Sequence, residues 1–190
     1  MKAVIFDCDG MINHEERFSQ RLTKYVPLEV SLPFFTGTFQ ECLVGRADLK
    51  DELGKVIGQW GWKGSVNELI ALWFSDEANT LNTDFFSIIK DLRERGIAVY
   101  LATNNEKYRT EYLLQARGLG RLFDATFSSA SVGFKKPQKE FYDYLFAHIP
   151  HKREGVLYWD DDPEHIAVTE QLGIPSRLYT TFDDFSATVK

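Results

Sequence analysis

The chain opens on an apolar run, Ala3-Val4-Ile5-Phe6, that gives way at once to Asp7-Cys8-Asp9-Gly10. A short stretch of strand formers that is apolar at every position, not at alternate ones, predicts a strand buried on both faces inside a parallel sheet. Two later runs repeat the pattern. Ile97-Ala98-Val99-Tyr100-Leu101 leads into Ala102-Thr103-Asn104-Asn105, and Val156-Leu157-Tyr158-Trp159 leads into Asp160-Asp161-Asp162. Between such runs the apolar spacing turns helical. Phe85, Ile88, Ile89 and Leu92 form a stripe over Asp84–Arg95 that Gly96 would end, and a helix capped by Asn105 would run through Arg117 to Gly118. Ala125–Ser128 reads as a short strand, Pro137 as the opening of a helix carrying Phe141 and Leu145, and Asp162-Pro163 as an N-cap followed by proline at the first helical position. That last helix would run to Gly173, before a final strand at Ser176–Tyr179. Strands alternating with helices predict an α/β fold with a parallel, Rossmann-like sheet flanked by helices.

Residues 14–81 break this alternation. They are rich in large aromatics (Phe34, Phe35, Phe39, Trp60, Trp62, Trp73 and Phe74) and contain helical-looking pieces such as Asp48–Ile57 and Val66–Ser75. These aromatics are expected to form the core of a small helical unit more often than to touch a ligand.

In open α/β sheets ligands bind outside the carboxyl ends of the strands, where Asp7 and Asp9, Thr103 and Asn104, and Asp160 and Asp161 would gather. Two carboxylates about 4 Å apart repel by roughly 4 kcal/mol at an intermediate dielectric. The Asp7/Asp9 pair therefore implies a bound metal or a functional proton. Gly133-Phe134-Lys135-Lys136-Pro137 adds cations that would neutralise part of the cluster. Cys8 is expected to be inert, because neighbouring carboxylates raise a thiol's pKa. Asp162 is expected to cap the following helix.

In order and spacing these segments resemble the signature motifs of the haloacid dehalogenase superfamily, most of whose members are phosphatases. The resemblance covers the segments around residues 1–13 and 82–178. It implies a core domain of residues 1–13 and 82–190 and a helical cap of residues 14–81, inserted after the first strand, which closes over the rim and selects the substrate. It implies Asp7 as a nucleophile forming an aspartyl-phosphate and Asp9 as general acid and base. Thr103 and Lys136 are implied as grips on the phosphoryl oxygens, with Lys135 a competitor for the lysine role. It further implies Mg²⁺ held by the Asp7 carboxylate, the Asp9 main-chain carbonyl and the Asp161 carboxylate, with Asp160 holding metal-bound water. Asn104 would either donate to substrate or help cap the next helix. Dehalogenases of the superfamily lack an acid two residues after the nucleophile, so Asp9 favours phosphoryl over carbon–halogen chemistry. His165 stands where the family's acidic motif often continues to Asn or Asp. The implied activity is a Mg²⁺-dependent phosphomonoesterase acting on a small phosphorylated metabolite. A phosphomutase or phosphotransferase of the same family, and a non-catalytic binding module keeping the fold, are the alternatives. Arg46, after Gly45 in an expected loop, is a candidate substrate-facing charge of the cap.

With 190 residues the chain suffices for one good core with a smaller lobe. Its 44% hydrophobic and 26% charged content is ordinary for a soluble globular protein. The net charge of −6 argues against a nucleic-acid partner. No apolar run approaches the ~20 residues of a membrane span, and the start of the chain offers no signal-peptide core. Two cysteines without Cys-x-x-Cys spacing indicate neither a disulfide framework nor a zinc site, so a reducing, cytoplasmic setting is expected. The sequence leaves the oligomeric state open.

Overall fold

The computed structural model of the chain describes residues 1–15, 18–75 and 79–189; residues 16, 17, 76–78 and 190 lie outside the description. Strand β1 (Ala3–Phe6) is followed by β2 (Asn13–Glu15) and five helices: α1 (Phe18–Leu22), α2 (Leu28–Thr36), α3 (Thr38–Leu43), α4 (Leu49–Val56) and α5 (Val66–Trp73). Then come β3 (Asn79–Leu81), α6 (Asp84–Glu94), β4 (Ala98–Thr103), α7 (Lys107–Glu111), β5 (Ala125–Ser128) and α8 (Ser129–Val132). The chain continues through α9 (Lys139–Ala147), β6 (Val156–Asp160), α10 (Pro163–Gln171), β7 (Ser176–Leu178) and α11 (Phe182–Val189).

Five strands form one parallel sheet in the order β5-β4-β1-β6-β7. All four residues of β1 are buried. Successive side chains of a strand point to opposite faces, and the two faces are packed accordingly. Val4 and Phe6 join Phe85, Ile89 and Leu92 of α6 and Phe185 of α11, whereas Ala3 and Ile5 join Phe141, Tyr142 and Leu145 of α9. With helices on both faces, the chain reverses direction outward from β1, and the carboxyl ends of β1, β4 and β6 share one rim.

Just past β1 the backbone folds on itself. The Ile12 and Asn13 N–H groups donate to the Cys8 carbonyl, and Gly10 N–H donates to the Asn13 carbonyl at 2.8 Å. Gly10 carries this turn with φ +89°, a conformation that side-chain-bearing residues rarely adopt. β2 and β3 then pair antiparallel, Asn13 opposite Leu81 and Glu15 opposite Asn79. This ribbon carries the chain out to α1–α5 and back. The five helices share a separate apolar cluster that includes Phe18, Phe34, Trp60, Leu69 and Trp73. Local signals fix several of their ends. Asp48 accepts from the Lys50 and Asp51 N–H groups at the start of α4, and Ser65 and Glu68 form a capping box on α5.

Three details depart from the sequence expectations. The helix expected from Asn105 to Arg117 is α7 capped by Glu106, followed by a π-helical turn at Tyr112–Ala116, with Gly118 at φ +76° beyond it. Asn105 does not cap because its side chain is drawn to the sheet rim. Strand β4 extends to Thr103 because β5 pairs with it as far as Thr103–Ser128. The ribbon and α11 had no counterpart among the expected elements. Among the described residues no helix is long and apolar enough to cross a membrane.

Candidate functional site

Asp7 is the first residue beyond β1, its N–H donating to the Trp159 carbonyl of β6 at 2.9 Å. Its side chain is buried, and its Oδ1 accepts the Cys8 N–H at 2.7 Å and faces Lys136 Nζ at 2.7 Å. The same ammonium lies 2.8 Å from Asp160 Oδ2. The lysine is delivered by its backbone. Asn104, just past β4, accepts from Lys136 N–H at 2.8 Å and donates to the Lys136 carbonyl at 2.9 Å. Asn104 thus neither caps the next helix nor stands free; it clamps the loop that carries the cation. Lys135 points elsewhere, donating to Gln40 Oε1 of α3 at 2.7 Å.

Asp160 has partners at both oxygens. Oδ2 receives the Tyr158 hydroxyl as well as Lys136, and Oδ1 takes the Asp162 N–H at 2.9 Å and lies 3.0 Å from His165 Nδ1. Asp162 caps α10 by accepting from the Glu164 N–H at 2.8 Å. Asp161 differs from both neighbours: it is exposed, and it lies against Gly10. A Cβ built on Gly10 would come within 1.9 Å of Asp161 Oδ2, so the glycine supplies the space that the carboxylate occupies. Asp7, Asp160 and Asp161 each offer an oxygen within 4.8 Å of the others.

Two of these acids and one ammonium make an unequal partnership. Burial raises the Asp7 carboxyl well above the usual carboxylate range, against the pull of Lys136. Asp160 is held below that range: burial opposes ionisation, but Lys136 and His165 outweigh it. Burial alone would lower the Lys136 ammonium, yet Asp7 and Asp160 hold it above the ordinary lysine value. Burial and the charge of Asp160 also raise Asp161. One cation shared among three acids leaves surplus negative charge. A hard divalent ion with oxygen ligands is the group that relieves it, and the donors are all carboxylates, which suits Mg²⁺ and not a softer metal. The residues present therefore fit the ion that the motifs imply.

Asp9 sits apart from this cluster. Its Oδ1 accepts from Asn13 Nδ2 at 2.8 Å and from Arg109 Nη2 at 2.9 Å, and its Oδ2 accepts from Asn105 Nδ2 at 2.8 Å. The Asn105 amide also donates to Thr103 Oγ1 at 2.6 Å. One polar chain thus runs from the end of β4 to the acid two residues past Asp7. Arg109, Asn105, Asn13, Tyr158 and His165 were not singled out as site residues from the sequence. Some of the signals were there. Asn105 and Arg109 are four apart where a helix begins, and Tyr158 and Asp160 share one face of a strand.

A cleft of about 490 Å³ opens beside Asp9, between Asn104, Asn105, Glu106 and Arg109 on the core and Phe18, Phe35, Phe39, Leu43 and Trp73 on the helical unit. Contacts between the two sides include a stack of Phe74 on Tyr112, with ring centroids 5.6 Å apart, and Lys50 Nζ over the Tyr108 ring at 4.6 Å. Lys135 reaches Gln40, the Tyr108 hydroxyl donates to Asp48 Oδ2 at 2.7 Å, and Gly45 packs against the Ala130 carbonyl, 2.3 Å from where a Cβ would be. Arg46 is not in the cleft. It is exposed and paired with Glu41 at 2.6 Å, because the loop after α3 turns it outward. A larger hollow of about 770 Å³, lined by Phe86, Ile97 and Leu122, begins at the amino end of β4 and is remote from these groups.

A parallel sheet whose central strand ends in Asp7-Cys8-Asp9-Gly10, with a lysine and further acids on the same rim, defines a hydrolase class. The family model of haloacid dehalogenase-like hydrolases matches residues 4–178, and the chain belongs to that family. It is 27% identical over 180 residues to the sesquiterpene phosphatase astK of Aspergillus oryzae (strain ATCC 42149 / RIB 40), covering 91% of this chain and 87% of that protein. Its fold is similar to that of a HAD family enzyme from Bacteroides thetaiotaomicron solved in complex with magnesium and inorganic phosphate. The TM-score is 0.86 at 18% identity over 100% of both chains. A HAD phosphatase from Thermococcus onnurineus matches with a TM-score of 0.68 and 20% identity, over 95% of this chain and 86% of that one.

Proposed function

We propose that this chain is a Mg²⁺-dependent phosphomonoesterase that works through an aspartyl-phosphate on Asp7. The observation that carries the reading is the division of labour between its first two acids. Asp7 sits against a buried lysine at 2.7 Å, and Asp9 is held by separate donors beside an open cleft. The phosphatase relative supports it.

In this mechanism an Asp7 oxygen attacks phosphorus in line, and the ester oxygen leaves from the opposite side. Asp9, held by Asn13, Arg109 and Asn105, gives its proton to that leaving oxygen. It then takes one from the water that hydrolyses the acyl phosphate, which frees Asp7 and inorganic phosphate. Lys136 and the Thr103 hydroxyl grip the phosphoryl oxygens, while Asp160 and Asn104 fix the lysine's head and backbone. Mg²⁺, held by the Asp7 carboxylate, the Asp9 main-chain carbonyl and the Asp161 carboxylate, would supply the positive charge that lets an anion approach a phosphate.

The helical unit of residues 14–81 serves as the cap, and the substrate is a small phosphorylated molecule. Both cysteines are free and buried, in keeping with a reducing, cytoplasmic setting. Phosphate release from a monoester panel tests the reading. Activity should vanish with EDTA and return with Mg²⁺, and free phosphate as product separates a hydrolase from a phosphomutase. Full turnover in a rigorously metal-free preparation rules the mechanism out.

A further inference from the structure

Among the described residues, the wall of the cleft that faces Asp9 is mostly apolar. Trp73 lies at its centre, stacked on Phe18 with ring centroids 4.4 Å apart and planes 8° from parallel. Phe35 and Phe39 pack against Trp73 at 5.8 and 5.2 Å. Phe18 and Trp73 are buried, but Phe35, Phe39 and Leu43 stay half-exposed where they line the opening. Among the described residues, the polar side chains that the helical unit contributes to this wall are Ser19 and Gln40. Gln40 is already engaged at both ends of its amide: Oε1 accepts from Lys135, and Nε2 donates to the Phe35 carbonyl at 2.8 Å. The described cap residues lining the cleft thus include no charged side chain. Arg46 is turned away and paired with Glu41, and Arg21 donates to the Ser75 hydroxyl at 3.2 Å. The charged groups of the cleft, Asp9, Glu106 and Arg109, all stand on the core side.

A cavity of this size accommodates a whole small organic molecule. Its two walls ask for different chemistry from the two ends of that molecule. A sugar or nucleotide would bring hydroxyls to a surface that offers few partners, and hydroxyls buried without hydrogen bonds are disfavoured. A hydrocarbon body would remove the exposed faces of Phe35, Phe39 and Leu43 from water.

Resting on the phosphatase reading above, we infer that the preferred substrate is the phosphate monoester of an apolar, hydroxyl-poor alcohol. Its phosphoryl group lies at Asp7, and its hydrocarbon body lies along Phe35, Phe39 and Leu43. The hydrolysis balances as in any monoester: the P–O bond to the alcohol breaks, water supplies the new P–O bond, and the alcohol leaves with the proton given by Asp9.

The test is a chain-length series. Initial rates with Mg²⁺ are measured on n-alkyl monophosphates from butyl to decyl, below their micelle-forming concentrations, beside a hexose phosphate and p-nitrophenyl phosphate. kcat/KM should rise about fourfold per added methylene until the cleft is full, the factor for burying one CH₂ group, and the longer alkyl esters should outrun the hexose phosphate. A flat series, or a hexose phosphate preferred to octyl phosphate, overturns the inference while leaving the phosphatase reading intact. No phosphate release from any compound, p-nitrophenyl phosphate included, overturns the phosphatase reading and the inference with it. Phe39→Ala should lower the slope of the series, and Arg46→Ala, outside the cleft, should keep it. An unchanged slope in a folded Phe39→Ala removes that ring from the wall. If the variant does not fold, the wild-type series decides alone.

Discussion

The rim of the sheet and the wall of the cap face each other across one cleft and are built on opposite principles. On the rim, charged atoms are matched to partners at hydrogen-bond distance. Lys136 meets Asp7 and Asp160, Asp9 meets Asn13, Arg109 and Asn105, and Asp160 has partners at both oxygens. On the wall, rings pack on rings and their outer faces are left to the cleft. Charges in a low-dielectric site interact strongly and must be placed closely, whereas apolar contact is non-directional and scales with area. In the proposed reading the rim therefore fixes which bond is broken, and the wall decides which molecule arrives.

The sharpest way to break this division is at Asp7. Asp7→Asn keeps the volume but removes the proposed nucleophile, so no phosphoenzyme should form and turnover should fall to background with every substrate. Asp9→Asn should instead lose about 10²–10⁴-fold, and by amounts that follow the leaving group. p-Nitrophenolate leaves without much help, so rapid-quench kinetics should show a burst followed by slow turnover, with intact-mass measurement finding phosphate on Asp7. A burst in Asp7→Asn, or equal losses for good and poor leaving groups in Asp9→Asn, would overturn the assignment of roles.

The same contrast explains what the sequence could and could not reveal. Buried strands ending in acids are written in contiguous letters, so β1, β4, β5, β6 and β7 and the rim they share were legible, as were the Asp48–Ile57 and Val66–Ser75 helices to within a residue or two. The β2–β3 ribbon was not, because strands of three residues are too short for a period to emerge and their pairing joins segments 66 residues apart, as in the contact of Asn13 with Asn79. The cap on α7 was misread because Asn105 and Glu106 compete for it. Only the tertiary contacts to Asp9 and Thr103 remove Asn105 from the helix end. Which aromatics belong to the cap's interior and which to its wall is likewise a three-dimensional fact. Phe34 is buried and its neighbour Phe35 is half-exposed at the cleft.

Gly10 sharpens the comparison from the rim's side. Gly10→Ala places a methyl group where Asp161 Oδ2 now lies and forces a side chain into φ +89°. The backbone strain alone is on the order of 1–3 kcal/mol, visible as a lower thermal midpoint. Displacing the Asp161 carboxylate should also raise the Mg²⁺ concentration for half-maximal activity by about tenfold or more, matching the loss of a ligand's contribution, roughly 1.4 kcal/mol per decade. Asp161→Asn should move the Mg²⁺ requirement the same way without the backbone strain. If Gly10→Ala loses stability but keeps the wild-type Mg²⁺ requirement, Asp161 does not hold the ion.

The smallest effect is expected at a contact that joins the two regions. The Tyr108 hydroxyl of α7 donates to Asp48 Oδ2, and Asp48 in turn caps α4 of the helical unit. Tyr108→Phe removes that bond and leaves the capping bonds in place. Both side chains are partly exposed, so the loss is about 1 kcal/mol or less, about fivefold in how firmly the helical unit docks. Because no atom of the rim moves, KM should rise a few-fold while kcat stays near the wild-type value. The pH dependence gives a second handle. Burial works against ionisation of Asp48, but the Tyr108 hydroxyl and the N–H groups of Asp51 and Lys50 outweigh it and hold its carboxyl below the usual value. A lowered native pKa contributes stability that is complete above the unfolded value of about 3.9 and is lost as pH falls through the native one. On the alkaline side the hydrogen bond to Asp48 pushes the phenol up to about 12, so the donor keeps its proton throughout the neutral range. The stability difference between wild type and Tyr108→Phe, measured by denaturant unfolding, should therefore be constant around neutrality and shrink in acid. A kcat loss as large as the KM change would mean that Tyr108 acts on the chemistry of the rim and not on the docking of the wall.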